Sequence, residues 1–169
     1  MARKPAQYSF IQAVIRGKVR RVRSMCRAGA LFARPDRYGW LPVHRAAGND
    51  QGEIVRLLLD WGSPIEAVGT ENWTPLHVAC VSNSARAVEA LLDRGANVNA
   101  ISIYGHTPLH LAVDTGNIET VEKLVHSGAN LHSVDRKGRT PMEAARQAGN
   151  ERVFLFLKGQ AASQGGTGE

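Results

Sequence analysis

Histidine is the side chain that most readily serves as a general acid, a general base or a metal ligand near neutral pH. Three of the six histidines in this chain, His44, His77 and His110, stand 33 residues apart. Placed one per unit at the same position of a repeating structure, they would lie in a row about one unit apart, and each would suit a hydrogen bond tying a turn to a helix. That geometry does not gather them around one reacting atom or one metal. The two cysteines, Cys26 and Cys80, have no pair spacing, so they are expected as buried small hydrophobes, with neither a disulfide nor a metal site. Asp114 and Asp135 are scattered acids with no sequence reason to pair. No Cys-x-x-Cys, glycine-rich phosphate loop or Gly-x-Ser-x-Gly stretch occurs. The expectation is a protein that is not an enzyme, with no catalytic residues, no metal and no cofactor.

The elements that hold those histidines announce themselves by period. Pro42, Pro75, Pro108 and Pro141 recur every 33 residues, within Leu-Pro-Val-His, Thr-Pro-Leu-His, Thr-Pro-Leu-His and Thr-Pro-Met-Glu. Gly62, Gly95 and Gly128 keep the same interval, and Gly29 extends it backward. Threonine before proline starts a helix well, because the hydroxyl caps free N–H groups and proline has none to leave unpaired. In the unit that begins at Gly69, the pattern predicts one helix over 75–82 and a second over 85–94. Gly95 stops the second in the left-handed region. Val88, Leu91 and Leu92 form an apolar stripe at helical spacing. An extended stretch, 96–100, then leads into a turn, where Gly39, Asn72, Gly105 and Gly138 tolerate positive φ.

These residues carry a resemblance to the ankyrin-repeat family, with its 33-residue unit and Thr-Pro-Leu-His signature, strong over 36–157 and weak over 8–35. The resemblance implies an all-α repeat solenoid, a curved stack of helix-turn-helix units with β-hairpin fingers projecting to one side. It also implies a structural role for the recurrent histidines. The expected organisation is an N-terminal tail (1–7), one domain (8–158) and a disordered tail (159–169). Within the domain, 8–35 is a degenerate N-terminal cap, 36–68, 69–101 and 102–134 are full repeats, and 135–158 is a C-terminal cap in which Glu143 and Arg146 replace the recurrent His and a small apolar residue.

A composition of 43% hydrophobic and 21% charged residues is ordinary for a chain that folds around a core without disulfides. No apolar run approaches the roughly 18 residues of a membrane span, and Phe10–Ile15 is too short for a signal-peptide core. The expected home is cytoplasmic, or nuclear in a eukaryote, and the expected state is a monomer. Of the net charge of +6, residues 1–37 supply +9, ten bases against Asp36 alone, which leaves −3 on the remainder.

Positions that do not recur are free to face a partner. They lie on the finger tips and at the ends of the first helices: Arg37, Tyr38, Trp40 and Asn49; Glu71, Trp73 and Ser82; Ile103, Tyr104, His106 and Asp114; Arg136, Lys137 and Arg139. Two of three Trp and two of three Tyr fall on these tips, the residue types that most often anchor interfaces. The expected function is protein–protein interaction, as scaffold, adaptor or inhibitor. The opposing reading of the two Trp is packing against neighbouring fingers. A competing function is binding of a polyanion, nucleic acid or an anionic membrane surface, through Arg16, Lys18, Arg20, Arg21, Arg23 and Arg27. The stretch Asn97-Val98-Asn99-Ala100 also resembles the hairpin asparagine sequence modified by an oxygen-dependent hydroxylase in animal ankyrin proteins, with Asn99 as acceptor.

Overall fold

The computed structural model describes residues 6–29 and 32–165, without the side chains of 164–165. Ten α-helices form five pairs: α1 (Ala6–Ile15) and α2 (Val19–Arg27), α3 (Pro42–Gly48) and α4 (Gly52–Asp60), α5 (Pro75–Val81) and α6 (Ala85–Leu92), α7 (Pro108–Thr115) and α8 (Ile118–His126), α9 (Pro141–Gln147) and α10 (Glu151–Gly165). The first helices α1, α3, α5, α7 and α9 stack in one row, and the second helices α2, α4, α6, α8 and α10 in another. The fold is an all-helical repeat.

Buried side chains recur with the period. Leu58, Leu91, Leu124 and Leu157 recur at one position of the second helices, each at most 1% exposed, in one core cluster with alanines of the first helices such as Ala46 and Ala79. Truncating one of these leucines to alanine is expected to cost about 2–5 kcal/mol, as for other fully buried leucines. Gly95 has φ +78 with open space where a Cβ would stand, so glycine is there for its backbone. The turn it allows closes with Gly95 N–H donating to Leu92 O and Ala96 N–H to Leu91 O, both 3.0 Å.

The first helices α3, α5 and α7 are each capped and tied onward by one histidine side chain. Thr74 N–H donates to His77 Nδ1 (3.2 Å) while Thr74 Oγ1 accepts from His77 N–H (3.4 Å). With Nδ1 accepting, the ring proton is on Nε2, which donates to His106 O of the following repeat at 3.0 Å. His110 repeats this onto Arg139 O (3.0 Å), and His44 onto Ala67 O and Trp73 O (3.0 and 3.1 Å). Burial lowers all three histidine pKa values, against the opposing pull of these carbonyls. The histidines are structural. In the last repeat Glu143 takes over the capping half of the job, accepting from Thr140 N–H at 2.7 Å.

Three expectations are corrected. Among the described residues there is no strand: the fingers are turns over 36–40, 69–73, 102–106 and 135–139, each closed end to end by a bond such as Asp135 N–H to Arg139 O (3.0 Å) and too short to pair as a hairpin ladder. The domain begins earlier than residue 8, since α1 starts at Ala6; residues 1–5 of the expected tail lie outside the described residues. The segment from Gly159, expected to be disordered, continues α10 to Gly165 because Ala161 packs against the core, and 166–169 lie outside the described residues.

Candidate partner-binding face

The first, third and fourth fingers are each built on the side chain of their first residue. Asp36 Oδ1 accepts from Tyr38 N–H (2.8 Å) and Trp40 N–H (3.1 Å), and its second oxygen pairs with Arg45 at 2.6 Å. Asp135 does the same for Lys137 and Arg139 N–H (2.8 and 3.0 Å), and it pairs with the Arg139 guanidinium at 2.6 Å. Burial opposes ionisation of Asp135, but the Arg139 and Lys137 hydrogen bonds outweigh it and hold its pKa at about 2. In the third finger Ser102 Oγ accepts from Tyr104 and His106 N–H (3.3 and 3.2 Å).

Neighbouring tips are joined. Ile103 N–H donates to Glu71 O and Arg136 N–H to Tyr104 O, both 3.0 Å, and Thr70 Oγ1 donates to Tyr38 O at 3.0 Å. The tips are therefore held at fixed spacing, a face organised before any partner arrives.

Between the first two fingers lies an open groove of about 470 Å³ lined by Tyr38, Trp40, Arg45, Thr70, Glu71 and Trp73. Tyr38 is 55% exposed, with the Arg37 guanidinium 4.6 Å and that of Arg45 5.6 Å from its ring centre. Trp40 is half-buried, edge-on to His44 at 5.1 Å. Trp73 is half-buried against the core, and its indole N–H is buried without a hydrogen-bond partner among the described residues. Each tryptophan packs, and each also lines the groove.

Of the other expected residues, Ile103 and Tyr104 are exposed at 40% and 41%, with Tyr104 Oη donating to Glu71 Oε1 at 3.4 Å. His106 is half-buried, 3.7 Å from Asp135 Oδ2. Arg37, Asn49, Ser82, Asp114, Arg136 and Lys137 are exposed. Arg139, expected with Arg136 and Lys137 among the positions free to face a partner, is engaged within its own repeat. Its guanidinium is taken by Asp135 and by Gln147 Oε1 (3.1 Å), leaving Arg136 and Lys137 as the bases free on that tip. Asn99 is committed at both ends of its amide, with Nδ2 donating to Gly128 O (3.1 Å) and Oδ1 accepting from Asn130 N–H (2.8 Å).

Sequence reasoning missed Val68, Ile101 and Val134. They recur every 33 residues, just before the second, third and fourth fingers, and are 58%, 63% and 57% exposed. Apolar residues at the repeat period outside both helices are the available signal. The six bases of the alternative patch, Arg16, Lys18, Arg20, Arg21, Arg23 and Arg27, are all exposed and form no ion pair among the described residues. Cys26 and Cys80 are free and buried, and burial pushes both thiols up, away from reactivity. Among the described residues no helix is long and apolar enough to cross a membrane, and no group of three or more His, Cys, Asp or Glu could hold a metal ion.

A family model described as ankyrin repeats (3 copies) matches residues 62–135 and 102–165, and one described as ankyrin repeat matches 38–69. No curated protein matches the chain.

Proposed function

The chain belongs to the ankyrin-repeat family, whose members are generally protein–protein interaction modules and typically not enzymes, and from that premise we propose that it binds a protein partner through its finger tips and the adjoining ends of the first helices. The observation that carries this reading is the groove between the first two fingers. It brings Tyr38, Trp40 and Trp73 together with one base and one acid, Arg45 and Glu71, on tips tied at fixed spacing. Aromatic groups on a preorganised surface contribute most to interface energy, because little ordering entropy is lost when they are covered. The exposed row Val68, Ile101 and Val134 widens the apolar part of the surface, and Arg136 and Lys137 give its far end a positive charge that favours an acidic stretch on the partner.

The test is site-specific photo-crosslinking in an extract of the source cells. A crosslinker at Tyr38 or Tyr104 is expected to capture one defined protein, and the same crosslinker at Glu89 or Glu122 on the second helices is not. Tyr38→Ala with Tyr104→Ala is expected to weaken that complex by about 2 kcal/mol or more without moving the melting temperature. Capture from the second-helix positions alone would place the interface elsewhere and sink the reading.

A further inference from the structure

The first helix pair ends the described stack with a surface unlike the interior repeats. At the second-helix position filled by Ile54, Ala87, Thr120 and Val153, all buried, the first pair carries Arg21, exposed. Ser24 is likewise exposed where Leu57 and Ala90 are buried. Covering Arg21 with an apolar helix pair would bury an unpaired guanidinium at a cost of several kcal/mol. The chemistry that suits this end is therefore anionic.

The shape adds a second requirement. A groove of about 630 Å³ runs between α1 and α2, with apolar contributions from Tyr8 and Val19 and with Arg16, Lys18, Arg20 and Arg21 around them. Arg23 and Arg27 prolong the row along α2, about 10 Å from Arg20 to Arg27 at helical rise. The first acid in the chain is Asp36, and none of these bases has an ion pair among the described residues. Phosphate contacts require only the bases, and single-stranded nucleic acid is held by a series of stacking aromatics, where this groove has Tyr8 alone. A bilayer surface is flat and cannot follow a cleft between two helices.

We propose that this groove is a second binding site, for an acidic peptide segment of a protein partner in which Asp or Glu residues flank an apolar side chain. Carboxylates pair with the rim arginines in bidentate geometry, and the apolar side chain lies between them against Tyr8 and Val19. The proposal does not depend on the finger face.

Fluorescence anisotropy tests it on the full chain with three probes: a labelled Glu-rich peptide carrying a central Leu-Phe, the same peptide with Gly-Gly in that place, and an oligothymidylate. Competition by phosphatidylserine vesicles supplies a fourth arm. The Leu-Phe peptide is expected to bind at least about tenfold more tightly than the Gly-Gly peptide and the oligothymidylate, a difference of about 1.4 kcal/mol. Its affinity is expected to fall with added salt and to drop at least about tenfold in Arg20→Glu/Arg21→Glu. Tyr38→Ala/Tyr104→Ala should bind the probe like wild type, which separates failure here from failure of the finger-face reading. Should the charge reversal unfold the cap, Arg20→Gln/Arg21→Gln carries the same comparison with a circular-dichroism control. Equal affinity for the two peptides, preference for the oligothymidylate, displacement by vesicles alone, or undiminished binding by a folded arginine variant would each overturn the proposal.

Discussion

Trp40 lies on Gly69 so closely that a Cβ at residue 69 would stand 2.5 Å from the indole Cε3. Gly69 has an ordinary φ of −99, so what it lacks is room, not conformational freedom. Asp36, Ser102 and Asp135 occupy the equivalent place in the other fingers and cap their turns. With no side chain available, the second finger closes through a 3-10 turn over Thr70–Asn72, in which Glu71 and Asn72 take positive φ (63 and 59). The indole of the first finger thus occupies the space that a capping side chain at residue 69 would need, and it also lines the groove between the two fingers.

Gly69→Asp restores the recurrent turn cap and is nevertheless expected to destabilise the protein by about 1–3 kcal/mol, because the carboxylate must displace the indole. In a Trp40→Ala background the same change should cost far less, since the obstruction is gone and the cap can form. A double-mutant cycle in urea is expected to give a coupling energy of at least about 1 kcal/mol. Additive effects would mean that Trp40 and Gly69 are not in contact in solution.

The histidine column ties stability to pH. Burial lowers the pKa of His44, His77 and His110 below the ordinary value of about 6.5 that applies in the unfolded chain. Between those values the unfolded state binds more protons, so stability is fully present above about pH 6.5 and falls as pH drops through the lowered folded values. Denaturation midpoints measured from pH 8 down to pH 5 should be level at first and then decline. A midpoint flat to pH 5 would show that the rings are protonated without cost, against the bonds in which their Nδ1 atoms accept from the Leu41, Thr74 and Thr107 N–H groups.

Asp135 acts in a different window. Its carboxyl, held at about 2 by Arg139 and Lys137, contributes stability that is present above the unfolded value near 3.9 and is lost as pH falls toward 2. Asp135→Asn keeps an acceptor for the turn but takes the carboxylate from the Arg139 guanidinium, which then has Gln147 Oε1 as its remaining partner, with an expected cost of about 1–3 kcal/mol. The decline between pH 4 and pH 2 should then be shallower than in wild type. An unchanged acid limb would assign acid unfolding to other carboxylates.

Legibility followed the range of the interaction. Thr74-Pro75 starts a helix, Gly95 ends one and Leu58, Leu91, Leu124 and Leu157 share a column because each outcome is decided within a few residues of its own unit, and the period multiplies the signal. Arg139 read as a free base because its partner, Asp135, enters the finger only through the folded turn. Trp40 and Trp73 read as exposed tips because contact with Gly69 and with the core depends on how adjacent units nest. Gly159 to Gly165 read as disordered because small polar composition hides the one docked residue, Ala161. The groove at the first helix pair arises from two helices side by side, and no local pattern encodes it.

The row Val68, Ile101 and Val134 separates a structural role from an interface role. Residues that brace the fingers would bury their branched side chains, and their loss would lower stability. Residues this exposed have little left to lose: surface substitutions away from buried contacts usually change stability by less than about 0.5 kcal/mol. Val68→Lys, Ile101→Lys and Val134→Lys, alone and combined, are therefore expected to leave the denaturation midpoint within that margin per site. The triple variant should at the same time weaken the complex captured at Tyr38 and Tyr104 by about 2 kcal/mol or more, because three lysine heads must be desolvated or displaced where the partner meets apolar surface. Stability losses above about 1 kcal/mol per site would make the row part of the finger scaffold. Intact stability with intact binding would restrict the partner's footprint to the aromatic groove and the first-helix ends.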